Sequence, residues 1–149
     1  MKKLAVSAAA LLAFAAPAAA EVIEVEMLNR TEDGRNMAFS QELIMADVGD
    51  VIRFVPTDRG HNAQTVEGAI PDGQEGIKGR INEAVEYEVT EPGVSAIICL
   101  PHVTLGMVAV VVADGDLSNA DAVRDAQIRG RSGQKVDELL SQAEADLGS

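Results

Sequence analysis

The sequence predicts an all-β fold, a sandwich or barrel of short strands with two α-helices attached at the C-terminal end. Three observations carry this. Short β-rich runs, some alternating and some continuously apolar, recur from Val22 to Ala113. Turns bearing Gly, Pro or Asp separate them, as in domains built from many short strands. After Asp114 the apolar residues change to a helical spacing.

The chain begins with a segment outside this pattern. Met1-Lys2-Lys3 is basic, Leu4 to Ala16 is mostly apolar, and Ala18-Ala19-Ala20 is a run of small residues. That three-part order is a secretory signal peptide, cleaved after Ala20. It is too short to remain as a membrane anchor. Residues 21–149 are then one domain, with 129 of the 149 residues available for a single core.

Val22 to Leu28 reads as a strand with Ile23, Val25 and Met27 on one face. Asn29 to Asn36 is polar, and Asp33-Gly34 marks a turn. Met37 to Met45 is read as extended, Asp47 to Asp50 as a turn, and Val51 to Val55 as a strand ended by Pro56. Thr57 to Asn82 is glycine-rich and irregular, and connections of that length are uncommon unless functional. Val85, Tyr87 and Val89 alternate with Glu86 and Glu88, as in a half-buried strand. Glu91-Pro92-Gly93 turns the chain into a strand from Val94 to Ile98, which delivers Cys99 at its end. Met107 to Ala113 is continuously apolar, as expected of a central strand covered on both faces. Asp114-Gly115-Asp116 breaks the β pattern, and Ser118-Asn119 caps a helix expected over Ala120 to Arg129. Gly130 interrupts, and a second helix is expected from Gln134 to Leu147, with Val136, Leu139, Leu140, Ala143 and Leu147 on one face.

The net charge is -12, and loss of Lys2 and Lys3 with the leader deepens it to -14. Such a chain is a poor binder of nucleic acid or of anionic membranes. It has one cysteine and therefore no internal disulfide. In an exported protein a lone cysteine points to a free thiol, a bond between chains, or a metal ligand. A bare thiol is vulnerable in an oxidising compartment, and metal binding commits the sulfur.

Cys99 begins the stretch Cys99-Leu100-Pro101-His102-Val103-Thr104-Leu105-Gly106-Met107. It holds the only cysteine and one of two histidines; the other stands in Gly60-His61-Asn62. One thiolate, two imidazoles and a thioether are the donors of a blue-copper centre. Singly, each has an ordinary explanation: a buried small hydrophobe, a core methionine, two surface histidines. Together they fall in two segments that read as loops between strands, with Ile98, Pro101, Val103 and Leu105 to exclude water. A thiol enzyme with Cys99 as nucleophile and a histidine as base is the rival chemistry, but it lacks an orienting third group and gives Met107 no role. Four protein donors leave no open position for a substrate, so the site suits electron transfer and not catalysis. A copper storage or delivery protein would use the same donors, and a metal-free interaction sandwich has nothing in its favour.

These residues resemble the cupredoxin family, and most closely its pseudoazurin branch, over nearly all of Glu21 to Leu147. The most specific matches are Gly60-His61-Asn62, Ile70-Pro71-Asp72-Gly73, Lys78-Gly79-Arg80-Ile81-Asn82, Pro92-Gly93-Val94 and the Cys99 to Met107 loop. The resemblance implies a Greek-key β-sandwich with two C-terminal helices. It makes His61, Cys99 and His102 the equatorial ligands of one type 1 copper ion, cycling between Cu+ and Cu2+, and Met107 the weak axial ligand. It gives Asn62 a supporting role through a backbone N–H aimed at the Cys99 sulfur. Met37 is matched to a methionine packed near the exposed histidine, and Pro101 to the apolar shelter of the ligand loop.

The implied function is a monomeric, periplasmic carrier of single electrons. It would dock transiently on redox proteins such as a copper or haem nitrite reductase or a c-type cytochrome. Electrons would leave through the edge of His102, framed by Pro101, Val103 and Leu105. Arg30, Arg59, Lys78 and Arg80 match or neighbour the family's ring of lysines, although Ile98 stands where a lysine is common. The chain also departs from the family at Leu100 (usually Thr), at Val103 (usually aromatic), and at Thr104-Leu105. Ligand spacing is kept, so these changes are expected to tune the redox potential and leave metal binding intact.

Overall fold

A computed structural model describes residues 19–148. The expected leader therefore lies outside the described residues, apart from its last two. Eight strands are formed: β1 (Val22–Arg30), β2 (Asn36–Phe39), β3 (Leu43–Ala46), β4 (Val51–Val55), β5 (Gln64–Thr65), β6 (Val85–Glu88), β7 (Gly93–Ile98) and β8 (Val108–Ala113). Two helices follow, α1 (Ala120–Asp125) and α2 (Arg131–Leu147). The strands make two four-stranded sheets, in the orders β2-β1-β4-β6 and β3-β8-β7-β5. Both sheets are mixed, because β1 pairs parallel with β4 and β3 parallel with β8. This is the β-sandwich with C-terminal helices that the sequence predicts.

The two sheets bury their side chains differently. In the first, alternation sends Val25, Met27, Ile52, Phe54 and Tyr87 inward while Glu24, Arg53, Glu86 and Glu88 face out. In the second, β7 and β8 are buried at every position. Their period of two divides them between two cores. Ile97, Ala109, Val111 and Ala113 face the first sheet, and Val94, Ala96, Val108, Val110 and Val112 face the helices. Each such valine removed from water contributes about 1.5–3 kcal/mol. A charge at Val110 would leave an unpaired ion in the helix-facing core and disrupt both sheet and helix.

The same alternation places the ligand loop. Ile97 faces the inter-sheet core, so Cys99, two residues on, faces it too. On the partner strand Ala109 puts Met107 on that face. The ladder runs through Ile97↔Ala109 and Ile98↔Val108, and the Cys99 N–H then donates to the Met107 carbonyl at 3.0 Å. Between them Leu100–Leu105 winds a 3-10 turn, closed by Gly106 at φ +100°, where a side chain would be strained.

The structure differs from the sequence reading at the helices. The first helix ends at Asp125, not Arg129, and Asn119 does not cap it with its side chain. The Asn119 amide instead pairs with the start of β7, accepting from Val94 N–H at 2.7 Å and donating to Val94 C=O at 2.8 Å. The second helix begins at Arg131, three residues before the expected start. Gly133 argues locally against helix there, and the contact that favours it comes from a distant segment. The irregular Thr57 to Asn82 region contains the short strand β5, paired with the end of β7.

Candidate metal centre

Three side chains from two loops converge at one end of the sandwich. The Cys99 sulfur lies 3.7 Å from His61 Nδ1 and 3.5 Å from His102 Nδ1, and the two Nδ1 atoms are 3.2 Å apart. A point equidistant from all three is about 2.0 Å from each. That matches metal–nitrogen and metal–thiolate bonds, about 2.0–2.3 Å for zinc. Met107 is fully buried in the same cluster as Cys99, one ladder step across.

The protonation chemistry fits a cation at this point. His61 Nε2 lies 2.8 Å from the Asn29 Oδ1, an acceptor, so Nε2 carries the proton and Nδ1 presents a bare lone pair. Burial, and then the facing His102, push the His61 pKa down, against a smaller upward pull from Asp58. The ring is therefore held neutral. Burial pushes the Cys99 thiol up, while backbone N–H groups of Asn62 and His102 directed at its sulfur pull the other way. Three donors that face each other across so small a gap are complementary to a positive ion, and a soft His2Cys set with a nearby thioether suits copper.

His61 is fixed from several sides. Its backbone carbonyl accepts from Asn82 N–H at 2.9 Å, and the Asn82 side chain accepts from Gly60 N–H at 2.6 Å. Asn62 ties this segment to the ligand loop. Its Oδ1 accepts from Leu100 N–H at 2.8 Å, and its Nδ2 donates to Gln64 Oε1 and the Gly79 carbonyl. The hydroxyl absent at Leu100 thus leaves no orphan, because the Asn62 amide is fully used by backbone and Gln64.

His61 and Cys99 have no accessible surface, whereas His102 is half-buried. Around His102 the chain exposes Leu100 (53%) and Leu105 (54%), together with Pro101. Val103, expected on this rim, is instead 7% exposed and packs in the helix-facing core. It points inward because the 3-10 turn rotates it toward α2. Met37 is partly buried against the inter-sheet core, in the left-handed region at φ 48°, and lines a cleft with Leu105 and Gly106. Arg30, Arg59, Lys78 and Arg80 are all exposed, and Arg80 approaches Glu83 at 4.0 Å.

Sequence reasoning missed Asn29, Arg129 and Arg131, and it named Asn82 and Leu100 without their places as a strap on His61 and as part of the exposed rim. Asn29 is the penultimate residue of β1, 32 positions from the ring it orients, and no local pattern links the two. Asn82 carries a weak signal, the positive φ that asparagine tolerates. Arg129 borders the groove beside Leu100 and Pro101, and Arg131 borders the cleft beside Leu105.

Residues 25–114 match the family model described as copper binding proteins of the plastocyanin/azurin family. The chain is 42% identical over 139 residues to a pseudoazurin of Paracoccus pantotrophus, covering 93% of this chain and 95% of that one. It is 36% identical to a pseudoazurin of Methylorubrum extorquens, over 85% of this chain and 84% of the relative. Among solved structures it superposes on a pseudoazurin from Sinorhizobium with a TM-score of 0.78 and 39% identity, covering 87% of this chain and 99% of the other.

Proposed function

Because the chain belongs to the plastocyanin/azurin family of copper-binding proteins, in its pseudoazurin branch, we propose that it is a blue-copper carrier of single electrons, in which His61, Cys99, His102 and Met107 would hold the ion. The carrying observation is the triangle of Nδ1, Nδ1 and Sγ atoms with sides of 3.2–3.7 Å. Copper, when bound, supplies a one-electron couple between its cuprous and cupric forms. The protein holds the donors in one arrangement for both. Asn29 fixes the His61 tautomer, and the Asn62 side chain ties the loop backbone to the neighbouring segment. Cys99 would hold the metal as a thiolate, so metal uptake would release its proton and depend on pH.

Burial decides among the rival chemistries. A fully buried thiol with a raised pKa is a poor nucleophile, which argues against a thiol enzyme. The lack of solvent access at His61, Cys99 and Met107 also opposes the rapid exchange that metal delivery needs.

Electrons pass through the half-buried edge of His102. The surrounding Leu100, Pro101 and Leu105 form a small apolar patch suited to weak, short-lived docking. A discontinuous rim of Arg30, Arg59, Lys78 and Arg80, with Arg129 and Arg131, gives this acidic protein a local basic face for acidic redox partners. Nitrite reductases and c-type cytochromes are the partners proposed, in the periplasm after cleavage behind Ala20, with the protein acting as a monomer. Among the described residues no helix is long and apolar enough to cross a membrane.

The test is the visible spectrum of purified protein given cupric salt. An intense thiolate-to-copper band that one electron bleaches is expected, and Cys99→Ser should abolish it. Colourless protein that binds no copper would refute the reading.

A further inference from the structure

The ligand loop is gripped from behind by the second helix. Ser132, in the first turn of α2, has no accessible surface, and its hydroxyl donates to the Val103 carbonyl at 2.6 Å. The same carbonyl accepts from Gly106 N–H at 3.3 Å in the bond that closes the 3-10 turn. A Cβ on Gly130 would stand 2.6 Å from Thr104 Cα, so only glycine lets the linker before α2 lie this close. Arg131 Cβ lies against Gly106, 3.5 Å from where its Cβ would be. Residues 103, 104 and 106 are therefore all pressed by the start of α2. The remainder of that helix is anchored through Val136, Leu139, Leu140 and Ala143 to β7 and β8.

The hydroxyl serves this one purpose. A serine in a first helical turn commonly caps its own helix or bonds back to the preceding turn. Ser132 does neither, and a buried hydroxyl without a partner costs free energy that alanine would avoid. His102 needs such support, because no side-chain hydrogen bond outside the donor triangle fixes its ring among the described residues. His61 has Asn29 for that purpose.

We propose that Ser132 is a positioning residue for the metal centre: its bond to the Val103 carbonyl locks the 3-10 turn against α2 and so fixes where the His102 imidazole stands. This rests on the copper reading above.

The isosteric pair Ser132→Thr and Ser132→Val tests it, since both add the same bulk and only Thr keeps the hydroxyl. Ser132→Ala removes the hydroxyl without added bulk, in case the larger residues do not fit. Ser141→Ala, which loses an exposed hydroxyl bond on the same helix, is the control. In metal-free protein, amide exchange at Gly106 and Met107 should quicken about tenfold in Val and Ala relative to Thr and wild type, the loss of one hydrogen bond. Exchange at Val110 and Val111 should not change. In copper-loaded protein, Val and Ala should raise the reduction potential, because a loosened imidazole donor favours the reduced ion, and Thr should restore it. Equal acceleration at all amides, or loop exchange indifferent to the hydroxyl, would overturn the proposal. So would faster loop exchange with an unchanged potential, which would make the contact structural only. The exchange arm needs no metal, so a colourless wild-type protein would sink the copper reading and still leave the loop clamp measured.

Discussion

The two histidines of the centre are held by opposite means. His61 has no accessible surface, donates its remote N–H to Asn29, and is strapped through its backbone by Asn82. His102 is half-buried, sits in a 3-10 turn, and is held indirectly through its neighbours' contacts with α2. One ring belongs to the core and the other to the surface. The difference separates two needs of an electron carrier, a donor that does not move and a donor through which charge leaves.

The largest test of this contrast removes each ring in turn. His61→Ala should destabilise the metal-free protein by about 2–3 kcal/mol, as a large-to-small change in a closed site does. His102→Ala should stay within about 0.5 kcal/mol of wild type, as for a surface change. Both should lose the blue band. Urea midpoints of the metal-free variants measure this, and equal losses would erase the distinction. The pH dependence sharpens it. The folded pKa of His61 lies below 6.5, so the unfolded chain binds more protons as pH falls. The contribution is complete above 6.5 and is lost progressively below it. His61→Ala should flatten that acid slope.

A smaller effect is expected at Asn29. Asn29→Ala leaves the buried His61 N–H without its partner and frees the ring to change tautomer. Copper affinity should fall about 10–100-fold, the usual result of losing such a hydrogen bond, and competition with a chelator would measure it. Unchanged affinity would mean that packing alone orients His61.

The smallest effect concerns the His102 side. If the basic rim steers acidic partners, raising the salt concentration should slow bimolecular electron transfer to a c-type cytochrome by reducing the association rate. Stopped-flow rates indifferent to salt would leave the apolar patch as the whole docking surface.

Much of this was legible in the chain. Alternation in β1, β4 and β6 marked the inner face of the first sheet, and the unbroken apolar run to Ala113 marked a strand covered twice. The rarity of cysteine and histidine, with their spacing, singled out the donors. Val103 misled because an apolar residue beside a histidine reads the same whether the turn rotates it outward or inward. The capping role of Asn119 and the start of the second helix misled because Asn119 and Ser132 spend their polar groups on Val94 and Val103, far away in sequence.

The sequence by itself determined the donor types, the sandwich, and that Cys99 shares a face with Ile97 and Met107 with Ala109, because a period of two is a local property of an extended chain. Only the tertiary structure decided the tautomer of His61, the burial of Val103 and the grip of α2 on the ligand loop. Each of those is a hydrogen bond or contact between segments at least 25 residues apart, and its free energy exists only once the chain has closed.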